Sequence, residues 1–267
     1  MIKLLVCFFA VCLMHCSGVY SERLEENDQK VERLHSVTGL DQVNVLHFLE
    51  KFEEALTLVD QFLSQNLTDY ERGWALLKKG TILTRLERPN EALEIYEEIE
   101  KTYAPSDQIG MLMSSVHYER SKALSKIGKQ DRAIDALFEA IELTKQARYG
   151  SFDKEFRVEQ MSIRMGRYLL LAGRPDDALN AFKTTIGHLE ALLQRKNSRS
   201  MERLMHCELS VAYKEMVEVY VHQGEMTSAI DTCKKALEYA EKEKSNFPEH
   251  PWILQIKDRL ANLQENN

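Results

Sequence analysis

The side chains that could do metal or acid–base chemistry are present, but their spacing keeps them apart. His206, Cys207 and Glu208 have the ligand types of a metal site, yet they are consecutive. Neighbouring residues on a helix point about 100° apart and cannot share one ion. No histidine pair has the i, i+4 spacing of a helical zinc site. Ile127-Gly128-Lys129-Gln130 reads as a turn, not as a phosphate-binding loop. The acidic runs Glu97-Glu98-Ile99-Glu100 and Asp176-Asp177 read as solvated faces and helix starts, not as paired catalytic carboxylates. Without a convergent Ser/His/Asp, Cys/His or metal set, neither an enzyme nor a bound cofactor or metal is expected.

The elements that would position these residues recur. Five segments share one pattern: Lys51-Phe-Glu-Glu-Ala55-Leu, Arg88-Pro-Asn-Glu-Ala92-Leu, Lys129-Gln-Asp-Arg-Ala133-Ile, Arg174-Pro-Asp-Asp-Ala178-Leu and Glu225-Met-Thr-Ser-Ala229-Ile. Polar or helix-starting residues lead into a small alanine, and an aliphatic follows. Gly128, Gly173 and Gly224 each stand five residues before their alanine. A unit recurring every 20 to 50 residues, roughly, implies a stacked solenoid, an architecture that usually binds rather than catalyses.

Composition agrees with helices. Leu, Glu, Ala, Lys and Arg dominate the 267 residues, and no long run alternates apolar with polar. Pro89, Pro105, Pro175, Pro248 and Pro251 all fall at expected helix boundaries, where the ring is tolerated. The net charge of −7 argues against a general nucleic-acid binder.

Residues 1–21 differ from the rest. Lys3 precedes an apolar run from Leu4 to Met14, and small residues follow at Cys16, Gly18 and Ser21. The run is too short to span a bilayer comfortably and fits a secretory signal peptide, with no membrane span expected in the mature chain. Cys7, Cys12 and Cys16 leave with it. Cys207 and Cys233 sit 17 residues before and 9 after the turn near Gly224. That offsets them axially by roughly 12 Å in an antiparallel pair, against the roughly 7 Å that a disulfide allows. Free thiols are expected. Asn66-Leu67-Thr68 is an N-glycosylation triplet in an expected loop, so Asn66 is a candidate glycan site.

Read along the chain, residues 22–40 are expected to form a short helix and a turn. Residues 41–65 form one long helix or a pair with a turn near Glu50. Helical pairs follow at 70–86 with 89–102, 107–127 with 130–148, 153–172 with 175–196, and 199–222 with 226–244. Apolar stripes such as Ala178, Phe182, Ile186, Leu189 and Leu193 mark one face of the second helices. After Pro248 and Pro251, Ile253, Ile256, Leu260 and Leu263 line one side of a last helix, as a terminal cap requires.

The chain resembles tetratricopeptide repeat proteins, helix–turn–helix units with a small residue in the first helix, an alanine early in the second and a large apolar residue four positions later. Gly80/Ala92/Tyr96 and Gly166/Ala178/Phe182 carry the match. Ala133/Leu137/Ala140 and Ala229/Cys233/Ala236 follow it less fully, with Ser121 and Val217 in the glycine's place. The alanines stand 37, 41, 45 and 51 residues apart, beyond the family's usual spacing, so a longer-helix variant is implied. The resemblance implies an all-α, right-handed α-solenoid of four to five antiparallel hairpins. Its parts are a repeat domain at 41–247 and a capping helix and tail at 248–267.

In such proteins the first helices line the concave, ligand-binding face. Mapped onto this sequence, that face includes Arg85, Tyr118, Lys122, Lys126, Arg164, Arg167 and Lys214, a basic set in an acidic protein. It would favour an acidic segment, through charge-assisted bonds to carboxylates. The Lys/Asn clamp of the chaperone-tail binders is missing, since Leu77 and Thr81 stand in its place. The expected function is a scaffold of the secretory pathway or extracellular space that holds a peptide or helix of a partner protein. A homodimer built on the flank of Met161, Met165, Met201 and Met205, or a regulatory subunit of an enzyme complex, are the rival readings. Charge reversal at Arg164 plus Arg167 is expected to weaken capture and leave circular dichroism unchanged.

Overall fold

In the computed structural model, residues 39–103, 110–147, 151–195, 197–242 and 251–265 are described. The expected leader, the helix proposed for 22–36, Pro105 and Pro248 lie outside them. The described residues form eleven helices and no strand. These are α1 (Gly39–Phe48), α2 (Phe52–Leu63), α3 (Asp69–Arg85), α4 (Pro89–Thr102), α5 (Gly110–Lys126), α6 (Gln130–Gln146), α7 (Ser151–Leu171), α8 (Pro175–Leu193), α9 (Arg199–Gln223), α10 (Met226–Glu241) and α11 (Pro251–Glu265). Gly39 and Leu40 open α1, so this helix begins inside the segment 22–40 that was assigned to a helix and turn. The stretch 41–65 is a helical pair with its turn at Glu50.

Two compact units divide the chain, residues 1–147 and 148–267. In the first, three hairpins (α1–α2, α3–α4, α5–α6) stack, and α3 also packs directly on α5. In the second, two hairpins (α7–α8, α9–α10) stack, α7 meets α9, and α11 packs on α10. The first helices lengthen along the chain, from 10 residues in α1 through 17 in α3 and α5 and 21 in α7 to 25 in α9.

All five hairpins use one turn, and its geometry explains the five-residue spacing seen in the sequence. Glu50, Glu87, Gly128, Gly173 and Gly224 adopt left-handed φ of 58°, 58°, 76°, 74° and 76°. The next residue donates its N–H back to a first-helix carbonyl five positions earlier, as in Lys129 N to Leu124 O (3.0 Å) and Arg174 N to Leu169 O (2.9 Å). That is the long bond of a Schellman cap. The same residue is the N-cap of the second helix. Its carbonyl accepts the first bond of that helix from the marker alanine, at 2.9 Å from Ala55, 3.3 Å from Ala92 and 2.9–3.0 Å from the other three. Alanine therefore falls five residues after the left-handed position by bond counting alone. Pro89 and Pro175 sit at N1, where no N–H is needed. Side chains brace the corner: Arg88 chelates Glu91 (2.6 and 2.7 Å), and Arg174 reaches Asp177 (2.7 Å).

Gly173→Ala is expected to cost about 1 kcal/mol, because a Cβ is disfavoured in the left-handed region. The position is otherwise open, with nothing within 4 Å of an added Cβ. A shift in the urea midpoint measures the cost, and no shift would mean that this turn is not tied to its conformation.

Packing explains the small residues. Ala55, Ala92, Ala133, Ala178 and Ala229 are all 0 % exposed. A Cβ on Gly80 would lie 2.5 Å from the Tyr96 ring, and one on Gly166 would lie 2.6 Å from the Phe182 ring. Each large ring of a second helix thus rests on bare backbone of its first helix. Buried serines tie two of the other pairs, α5–α6 and α9–α10. Ser114 Oγ donates to Ala140 O (3.1 Å), and Ser210 Oγ donates to Ala236 O (2.6 Å).

Candidate partner-binding face

In unit 1 the candidate face is built on α3 and α5, with the end of α1 beside them. Arg85 closes α3. Its guanidinium lies 5.3 Å from the Phe52 ring centroid and 3.6 Å from the Glu50 carboxylate. Lys126 closes α5 and pairs with Glu87. One turn earlier, Lys122 bonds Glu119 (2.7 Å) and lies 5.3 Å from the Tyr118 ring centroid. The Tyr118 carbonyl accepts a bond from Ser121 Oγ (2.7 Å). The four expected residues of this unit therefore share one face. The face is not uniformly basic: Glu50, Glu87 and Glu119 are interleaved with its cations.

The sequence reading missed His47, on the last turn of α1. It is 6 % exposed, and neither ring nitrogen has a hydrogen-bond partner. Its ring meets Phe52 edge-on at 5.5 Å between centroids. Burial is the main reason that its pKa falls to about 3. Lys78, Lys122 and Arg85 push it the same way, and only Glu119 opposes them. The cations that lower it stand on α3 and α5, and the one opposing acid stands on α5. Lys78 occupies the same place in its repeat as Glu119, Arg164 and Glu215 do in theirs, nine residues before the left-handed turn position. Arg164 was found from the sequence; applying its register to the other repeats would have added Lys78, Glu119 and Glu215, with Asp41 in the first.

In unit 2, Arg167 on α7 bonds Glu215 on α9 (2.5 Å). Gln160 donates to Glu208 (2.7 Å), whose carboxylate is buried. Burial pushes the Glu208 pKa up, against that bond and the nearby Arg164 and Arg167. Lys214, on α9, is half-buried. Reversing both arginine charges would place two further anions near a buried carboxylate, so it would disturb folding as well as binding. The expectation of unchanged circular dichroism does not suit these two positions.

A second polar cluster of this unit is structural. Tyr213 and Tyr239 stack at 5.7 Å and both donate to Glu190 Oε1 (3.1 Å each). Burial is the first cause that raises both phenols, with Tyr239 pushed up to about 12.

The remaining candidates fall into place singly. Cys207 and Cys233 are not joined in a disulfide, and the Cys233 thiol lies 3.6 Å from Ile256 O. Asn66 is exposed in the loop between α2 and α3. Thr68 of its triplet is the N-cap of α3 in a reciprocal capping box with Glu71. Met161 and Met205 are buried, and Met165 and Met201 are half-buried. Among the described residues no three His, Cys, Asp or Glu side chains are placed to hold a metal ion. None of their helices is long and apolar enough to cross a membrane.

No family model matches this sequence, and no curated protein does. Solved structures do match in fold. A putative kinesin light chain from Podosopora anserina with nearly identical TPR-like repeats aligns at a TM-score of 0.58. It is 14% identical over 79% of this chain and 96% of its own. A thermophilic TPR protein of Thermus thermophilus aligns at 0.52, with 20% identity over 85% and 97%. BtubC from P. vanneervenii aligns at 0.59, with 10% identity over 81% of each chain. The fold is therefore that of TPR-like α-solenoids.

Proposed function

We propose that this chain is a non-catalytic scaffold that holds an acidic peptide segment or helix of a partner protein on the first-helix face. In unit 1 this face holds carboxylates already: Arg85, Lys122 and Lys126, on α3 and α5, each pair with one, from Glu50, Glu119 and Glu87. A partner carboxylate brought there gains charge-assisted bonds from side chains mounted on rigid helices. Little ordering entropy is lost on the scaffold's side. The apolar N-terminal run supports a setting in the secretory pathway or outside the cell, where Asn66 would carry a glycan.

The test is binding of a fluorescent octaglutamate peptide, followed by anisotropy. The parent is expected to bind it more tightly as salt falls. The triple variant Arg85→Gln, Lys122→Gln, Lys126→Gln should lose at least about tenfold in affinity, since part-exposed ion pairs contribute up to about 1 kcal/mol each and each substitution also frees a carboxylate. Its circular dichroism should match the parent's. Equal affinity of variant and parent, or equally tight binding of octalysine, would contradict the proposal.

A further inference from the structure

The five hairpin turns place a residue in the same left-handed conformation, and three of them use glycine there. Glu50 and Glu87 are the departures. A Cβ in this region crowds the backbone, so glycine is the residue that backbone energetics favour. What sets the two glutamates apart is where their carboxylates go. Glu50 reaches forward from the first hairpin to Arg85 in the second, at 3.6 Å. Glu87 reaches forward from the second hairpin to Lys126 in the third. The register is identical: Arg85 and Lys126 each stand two residues before their own turn residue. Both cations belong to the face assigned above to an acidic partner.

The exposure of these pairs matters. The side chains of Glu50 and Glu87 are 55% and 76% exposed, and those of Arg85 and Lys126 are 42% and 35% exposed. Ion pairs this open to water exchange readily and contribute little to folding. Two carboxylates are therefore kept in an unfavourable backbone conformation, in contacts too weak to justify it by stability.

We propose that Glu50 and Glu87 are built-in competitors: internal carboxylates that occupy Arg85 and Lys126 until the acidic side chains of a partner displace them. This rests on the acidic-partner reading of unit 1. It adds that the affinity of the face is set below its maximum, so a single stray carboxylate does not hold and a segment with several does. The competition is electrostatic, so it weakens with salt.

The experiment compares three full-length proteins with the octaglutamate peptide at low and high salt. They are the parent, Glu50→Gly with Glu87→Gly, and Glu50→Gln with Glu87→Gln. The glycine pair suits the turn and folds at least as well as the parent. The glutamine pair keeps side-chain size and turn strain while removing charge, so it separates charge from backbone. Both pairs are expected to bind about fivefold or more tightly than the parent at low salt, with the gain shrinking at high salt. Tighter binding by the glycine pair alone would assign the effect to the backbone and overturn the proposal. If the parent binds and both pairs match it, the competition is overturned while the acidic-partner reading stands. If none of the three binds, both fall together.

Discussion

Phe182→Ala is expected to remove about 3–5 kcal/mol of stability, a large part of what a domain of this kind possesses. The ring is fully buried and rests on the bare backbone of Gly166. Removing it opens a cavity that the neighbouring alanine-sized contacts cannot fill. The converse change is also expensive. A side chain on Gly166 would begin 2.6 Å from the ring, so Gly166→Leu forces the two helices apart, at about 1–3 kcal/mol or more. The informative experiment combines them. If the two positions share one volume, Gly166→Leu with Phe182→Ala must cost less than the sum of the single changes, by more than about 1 kcal/mol in urea unfolding. Additive losses would mean that the glycine and the ring do not depend on each other. Gly80 and Tyr96 repeat the arrangement in unit 1.

Acidification from pH 7 to pH 5 is expected to cost about 2 kcal/mol through His47 alone. The sign follows from its folded pKa of about 3, below the unfolded value of 6.5. The folded state favours the neutral ring, so this stability is whole above pH 6.5 and is lost as pH falls toward 3. The groups facing it are Phe52 from α2, Lys78 and Arg85 from α3, and Glu119 and Lys122 from α5. Protonation would place a fourth cation among three, out of water. His47→Phe supplies the comparison. Neither ring nitrogen has a partner, so an apolar ring of similar shape breaks no hydrogen bond and keeps the edge contact with Phe52. The difference between parent and variant isolates His47 from other acid-sensitive groups such as Glu208. The variant should lose about 2 kcal/mol less than the parent between pH 7 and pH 5. Parallel pH profiles would show that His47 ionises freely in the folded chain.

The repeat was legible in the sequence because its spacing is backbone bookkeeping. A left-handed cap, an N-cap and three residues of first turn must separate the two helices before the marker alanine, whatever the side chains are. The pairing of Gly166 with Phe182 was legible for the same kind of reason: volumes at a contact are complementary. Glu50 and Glu87 hid the same turn from a search for glycine, and the first stretch, 41–65, could not be divided. The charged face was only half legible. Most of the cations were found by register, but several of the acids that meet them come from other repeats, as Glu50 meets Arg85 and Glu215 meets Arg167. His47 was invisible because its meaning lies in burial among groups from three other helices.

On the proposed function, the first-helix face of unit 1 receives an acidic segment. Amide chemical-shift mapping of the isotope-labelled protein during titration with octaglutamate tests it most directly. Shifts are expected to be confined in unit 1 to the end of α1, the Glu50 and Glu87 turns, and the faces of α3 and α5 carrying Lys78, Arg85, Lys122 and Lys126. Shifts centred on the exposed lysines of the second helices, Lys101 on α4 and Lys145 on α6, would contradict it.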